Sequence, residues 1–313
     1  MVEIASPLSG SQRYFHFATH LNLLRIKHRR RIPMNVKFIL AILVLALASL
    51  ACGFSIDLPA RQKPGPEVKE EITVADPNSD ETRLTLSFGA GKLTLSPGAE
   101  NLVDGTAIYN VDDLKPQIQK NGSSIEIRQG DFHSLPPFDD MKNEWDLRLS
   151  DTPLDLTLQA GAYDGTLELG GLALKSLTVK DGASNVDLSF TEPNQTEMSL
   201  LRYQTGASDV KVMGLANANF STLTFSGGAG NYTLDFSGDF QRDAVVTIEA
   251  GFGNLSLVIP EGVKTTVTVE GAAVNINHSS GWAQSGQKYT QNGSGSTLTI
   301  LVKMAAGNLA ITD

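Results

Sequence analysis

The sequence predicts an all-β chain wound as a two-sided parallel β-solenoid with coils of about 22 residues, and three observations predict it. From residue 84 onward apolar and polar residues alternate, as in Leu84-Thr85-Leu86, Leu154-Asp155-Leu156-Thr157-Leu158, Val186-Asp187-Leu188-Ser189-Phe190 and Leu255-Ser256-Leu257-Val258-Ile259. Period two marks a strand with one buried face. A glycine phrase also returns: Gly182-Ala-Ser-Asn185, Gly206-Ala-Ser-Asp209, Gly228-Ala-Gly-Asn231 and Gly251-Phe-Gly-Asn254, with Gly161-Ala-Tyr-Asp164 one unit earlier and Gly271 one unit later. The intervals are 21, 24, 22, 23 and 20 residues. Finally, no segment behind residue 52 carries an apolar stripe at helical spacing; the nearest, VDDLKPQIQK at 111–120, is cut by Pro116.

Two six-residue strands and two tight corners use up roughly 22 residues, which is one coil. Each strand then lies parallel to its counterpart one coil along, and the inward residues stack into two facing apolar layers. Gly161, Gly182, Gly206, Gly228 and Gly251 are expected at corners, where a positive φ costs glycine little. Asp164, Asn185, Asp209, Asn231 and Asn254 are expected to stack as a polar ladder that caps corner amides. The alternative is an antiparallel β-sandwich, which gives less reason for one phrase to return at every second strand.

Read in order, the chain begins with an extension and a secretory address. Residues 1–51 hold seven basic residues and one acid, and end in the uncharged run FILAILVLALASLA at 38–51. Fourteen residues fall short of the roughly 20 that span a bilayer, but suit a signal-peptide core. The segment from Met34 is a compact, positively charged start, so Met34 is the expected true first residue. Ala48-Ser49-Leu50-Ala51-Cys52-Gly53 resembles the lipobox of bacterial lipoproteins, with Ser49 where that pattern prefers Leu. The resemblance implies lipid on Cys52 and anchorage to a membrane. Residues 52–65, with Pro59 and Pro64, read as a linker. Residues 66–150 form a less regular leading portion, interrupted from 100 on, and 151–313 the repeat region with a C-terminal cap. Within that cap, residues 278–296 read as a polar loop.

The stretch Leu84-Thr-Leu-Ser-Phe-Gly-Ala-Gly-Lys-Leu-Thr-Leu95, with Leu102-Val-Asp-Gly-Thr-Ala-Ile-Tyr-Asn-Val111, Lys115-Pro116 and Ile125-Glu-Ile-Arg-Gln129, resembles the toast-rack N-terminal domain of bacterial envelope proteins. The later glycine phrases, including Gly307-Asn-Leu-Ala-Ile311, resemble the C-terminal part of LiaF-like proteins and related adhesin-type modules. These resemblances imply an all-β stack in an envelope setting, tied to adhesion or cell-envelope stress, and bring no catalytic residues with them.

The count of reactive side chains narrows the chemistry. Behind residue 51 the chain carries 18 basic and 33 acidic residues, a net charge of -15, against any nucleic-acid partner. Cys52 is the single cysteine, which excludes disulfide scaffolds and multi-cysteine metal sites. Only His133 and His278 lie behind it, too few for a triad or a zinc site. GAGK at 89–92 lacks the Ser/Thr and helix of a phosphate loop, and Asp112-Asp113 and Asp139-Asp140 read as solvated loops. No cofactor or metal is expected. Trp282 and Tyr289 are candidate platforms for sugar rings or, for Trp282, a cap over the end of the stack. The expectation is a non-catalytic, lipid-anchored envelope module that meets cell-wall polysaccharide or envelope proteins. A polysaccharide-active enzyme on the same solenoid is the alternative; it needs clustered carboxylates beside an exposed base such as Arg202, Lys211, Arg242 or Lys264.

Overall fold

The alternation becomes sixteen strands in one continuous sheet system, seen in a computed structural model that describes residues 63–131 and 140–313. The strands are β1 (Val68–Val74), β2 (Thr82–Pro97), β3 (Val103–Tyr109), β4 (Pro116–Asn121), β5 (Ser124–Gln129), β6 (Asn143–Leu149), β7 (Leu154–Glu168) and β8 (Leu174–Lys180). They continue with β9 (Ala183–Ser189), β10 (Met198–Met213), β11 (Phe220–Asp235), β12 (Ala244–Val258), β13 (Gly262–His278), β14 (Ala283–Ser285), β15 (Lys288–Gln291) and β16 (Gly293–Thr312). Helix among the described residues is limited to two 3-10 turns, Asp112–Leu114 and Leu215–Ala218. None is long and apolar enough to cross a membrane.

Each long strand carries two legs with a corner between them. In β10 the alternating apolar core residues are Leu201 and Tyr203 before the corner and Val210 and Val212 after it, so the inward parity switches from odd to even across Gly206. That switch lets both legs of a bent strand face the same core. The rungs stack in parallel in the order β5/β6, β2, β7, β8/β9, β10, β11, β12, β16, β13. A second-leg column reads Leu95, Leu167, Leu188, Val212, Leu234, Leu257 and Ile311, and a first-leg column reads Leu84, Leu156, Leu177, Leu201, Leu223, Val246, Ile300 and Val267. All of these are essentially buried and belong to one core. Stacking like on like at strand spacing keeps the core closed along the whole stack.

The irregular segment that closes each coil adds its own core residues: Phe190, Leu215 with Ala218, Phe236 and Ile259. Asn194 is buried there and bridges two coils. Its Oδ1 accepts from the Leu174 amide (2.8 Å), and its Nδ2 donates to the carbonyls of Leu174 (2.9 Å) and Thr196 (2.7 Å).

Two features depart from the simple solenoid expected. The ends are antiparallel: β3 pairs with β6 and β1 with β3, β4 pairs with β5, and at the other end β15 runs back against β13 and β14 against β15. Such strands turn the sheet direction around and occupy edges that a repeating parallel coil would leave open. The rung order also differs from the chain order. β16, the last strand, lies between β12 and β13, so the Gly271 segment is not the neighbour of the Gly251 segment. A matching inversion occurs at the other end, where β5 and β6 lie outside β2. Within the body the pairings are parallel throughout, unlike those of an antiparallel sandwich.

Candidate functional site

The glycines of the repeated phrase form one column, but for a different reason from the one expected. None of Gly161, Gly182, Gly206, Gly228 and Gly251 has a positive φ. Their carbonyls point along the stack at the next glycine: a Cβ on Gly206 would sit 2.4 Å from the Gly182 oxygen, and one on Gly251 2.3 Å from the Gly228 oxygen. The Gly206 and Ala207 amides both donate to the Gly182 carbonyl, at 3.1 and 2.9 Å. Close backbone approach, not left-handed geometry, excludes a side chain. Positive φ falls two residues after Gly228 and Gly251, at Gly230 and Gly253 (158° and 132°), and at the equivalent Gly91 and Gly307 (132° and 136°).

Next to this column the side chains of Asp and Asn stack in register. Asp164 pairs with Asn185, Asn185 with Asp209, Asp209 with Asn231 and Asn231 with Asn254. The column then passes to Asn308 of β16 and ends on Asn275 of β13, two residues that only the inserted strand brings into line. From Asp209 on, the amides form a polarised chain. Asn231 Nδ2 donates to Asp209 Oδ1 (2.7 Å), Asn254 Nδ2 to Asn231 Oδ1 (2.7 Å), Asn308 Nδ2 to Asn254 Oδ1 (2.8 Å) and Asn275 Nδ2 to Asn308 Oδ1 (3.3 Å). The Asn231 backbone amide also donates to Asp209 Oδ1, at 3.1 Å.

Two residues along each second leg, Thr233, Ser256, Ala310 and Asn277 form a parallel column. Together the two columns make an uncharged outer face on β11, β12, β16 and β13, with a shallow depression of about 230 Å³ lined by Asn231, Thr233, Asn254, Ser256, Asn277 and Asn308 among others. Apart from Ala310 the two columns carry only amides and hydroxyls, on a chain that is otherwise acidic.

Trp282 and Tyr289 lie inside the C-terminal end of the stack, 5% and 3% exposed, and belong to the core. Their rings are therefore not open platforms. Tyr289 Oη accepts from Gln284 Nε2 (3.0 Å), and its ring lies 5.4 Å from that of His278. Of the basic residues named for the enzyme alternative, Arg202 and Lys211 lie on the two legs of β10, Lys264 on β13 and Arg242 between β11 and β12; Arg242 pairs with Glu197 at 2.7 Å and Lys211 with Asp187 at 3.8 Å. Among the described residues no group of three His, Cys, Asp or Glu side chains is placed to hold a metal. Cys52, His133, Asp139 and the run at 38–51 lie outside the described residues.

Sequence reasoning missed two buried polar clusters. Gln129 and Asn143 close the corner at the leading end: Gln129 Oε1 accepts from the Gly89 amide (3.0 Å) and from Asn143 Nδ2 (2.9 Å), which also donates to the Ala90 carbonyl (2.7 Å). No repeat points to them, because the end coil carries no glycine phrase of its own. The second cluster gathers Tyr163, Tyr203 and Tyr232 around Asp181. Tyr203 Oη donates to Asp181 Oδ2 (2.8 Å), while the Tyr163 and Tyr232 hydroxyls are buried without a partner. Burial first, and the Asp181 charge after it, push the Tyr163 and Tyr232 hydroxyls up from their ordinary value. Tyr203 is raised by burial, then by Tyr163 and Asp181. Gly165 and Gly227 make room here, since a Cβ on either would run into the ring of Tyr163 or Tyr232 at 2.6 or 2.5 Å.

Fold and surface define a capped parallel β-stack. Residues 63–212 match the family model of the N-terminal domain of toast_rack, DUF2154. No curated protein matches the chain. Among solved structures, the chain is similar to a candidate cell adhesion protein from Clostridium sporogenes, at 21% identity and TM-score 0.45 over 79% of this chain and 99% of that one. It is also similar to a candidate adhesin from Bacteroides fragilis, at 11% identity and TM-score 0.44 over 80% and 99% of the two chains. A candidate lipid-binding protein from Parabacteroides distasonis aligns at 9% identity and TM-score 0.36, over 80% and 99%.

Proposed function

We propose that the protein is a non-catalytic module of the bacterial cell envelope, held to the membrane by lipid on Cys52, that presents the second-leg face of its stack to a partner. The uncharged amide-and-hydroxyl face running from Asn231 to Asn277 carries this reading. With a net charge of -15 behind residue 51, bulk electrostatics repel anionic wall polymers, so contact falls to a surface without charge. Amides and hydroxyls at the roughly 4.8 Å strand spacing offer donors and acceptors in rows, a geometry suited to an extended polyhydroxylated chain. The partner class is cell-wall polysaccharide, and the LiaF-like phrases of the sequence favour an adhesion or envelope-stress setting for it. Residues 66–150 act in this reading as the leading cap and 151–313 as the presenting body.

Binding of solubilised wall polysaccharide to the purified chain, measured by calorimetry against a Thr233→Glu/Ser256→Glu variant, tests the proposal. Binding by the native chain and a loss of at least tenfold in the variant are expected. Equal binding by both would remove this face from the argument, and turnover of the polysaccharide would overturn the non-catalytic reading. Mass spectrometry of the membrane fraction tests the anchor separately: the first mature residue is expected to be a lipid-bearing Cys52.

A further inference from the structure

The stack has four outer edges among the described residues, and three carry protection. β1 holds Lys69, Glu70 and Glu71; β4 begins at Pro116 and carries Lys120; β14 is three residues long. Charge, proline and shortness are the usual means of keeping sheet edges from pairing with other chains. The fourth edge is the second leg of β13, residues 271–278. It is eight residues long, reads GAAVNINH, and has no acid, lysine, arginine or proline. β16 pairs with one side of it, and β15 covers only Thr265–Thr268 of the first leg. Its inward side chains Val274 and Ile276 pack on the core yet stay half-exposed, so an apolar column ends here uncovered.

We infer that residues 271–278 are a docking edge for a second copy of this chain, which pairs antiparallel with them about a two-fold axis at Asn275. Two observations select a copy of the same chain. The segment is self-complementary in that register: Asn275 meets Asn275, and Val274 meets Ile276 on the core side, so both copies keep their apolar residues inward. The edge is also charge-free on a strongly acidic chain, so two copies meet where repulsion is least. The inference does not depend on the polysaccharide reading.

Sedimentation velocity on the purified full chain in detergent, from 1 to about 100 µM, tests it together with cross-linking. Facing Asn275 residues would bring their Cα atoms to about 4.5–5.5 Å, within disulfide reach. In a Cys52→Ser background, Asn275→Cys is expected to give a covalent dimer under mild oxidation, while Glu71→Cys, on the β1 edge, stays monomeric. Asn275→Lys is expected to weaken the dimer more than tenfold with an unchanged melting temperature. A native chain that stays monomeric throughout the range overturns the inference. So does cross-linking at Glu71 equal to that at Asn275, or a dimer that Asn275→Lys leaves intact.

Discussion

At the residue scale the glycine column is the most exacting requirement. Gly206 and Gly228 lack positive φ but face the carbonyl oxygens of Gly182 and Gly206, at 2.4 and 2.6 Å from any added Cβ. Even alanine is therefore expected to cost about 1–3 kcal/mol, the range for forced overpacking, and valine more. Urea unfolding of Gly206→Ala and Gly228→Ala checks this, and a neutral result in both would show that the backbone can yield. The amide column makes a second prediction. Asn231→Asp removes the donor to Asp209 and sets a second carboxylate one rung away. A loss of about 1 kcal/mol is expected. Urea unfolding of this variant checks it, and an unchanged midpoint would mean that the contact between Asn231 and Asp209 does not contribute.

At the element scale the decisive strand is β16. It pairs along its length with β12 on one side and β13 on the other. Removing the last coil of a simple solenoid exposes one new edge; removing β16 opens a slot inside the stack and exposes two, with Ile300, Val302, Leu309 and Ile311 lost from the core. Ending the chain after residue 292 is expected to give insoluble protein or lost strand content in circular dichroism, whereas a soluble, strand-rich product would mean that β13 can close directly on β12. Trp282 belongs to the same end. Its burial predicts that Trp282→Ala costs about 3–5 kcal/mol, the range for truncating a core aromatic, with thermal melting as the check.

At the scale of the whole molecule the buried tyrosines set the alkaline limit of stability. Tyr163, Tyr203 and Tyr232 are raised above 10, and Tyr109, under burial and the Glu70 carboxylate that accepts its hydroxyl at 2.9 Å, is pushed up to about 12. A phenol whose pKa is higher folded than unfolded keeps its full contribution below pH 10. Above that the unfolded chain sheds protons first, and stability falls as pH rises. The melting temperature is expected to hold from pH 7 to about 9.5 and then drop, more shallowly in Tyr163→Phe, which removes a buried, unpartnered hydroxyl. An unchanged slope in that variant would exclude Tyr163 as a contributor.

Much of this architecture was legible in the chain. Period-two alternation marks the inward columns because a strand buries every second residue whatever its partner. The glycine phrase marks the corners because close backbone approach admits no side chain. Asp164, Asn185, Asp209, Asn231 and Asn254 could be aligned by eye, since constant spacing along the chain becomes vertical register in a stack. What the alignment could not supply is the order of the rungs. Gly271 follows Gly251 at the repeat interval, yet β16 lies between them. Strand pairing over such a separation is decided by which side chains fit together in the core, and local spacing carries no record of it. For the same reason the amide row reaches Asn308 and Asn275, and the Tyr163–Asp181–Tyr203–Tyr232 cluster assembles from four different strands and turns. The sequence by itself determined the strands, the corners and the acidic surface; the tertiary structure alone decided which rung meets which, and with that which edge stays open.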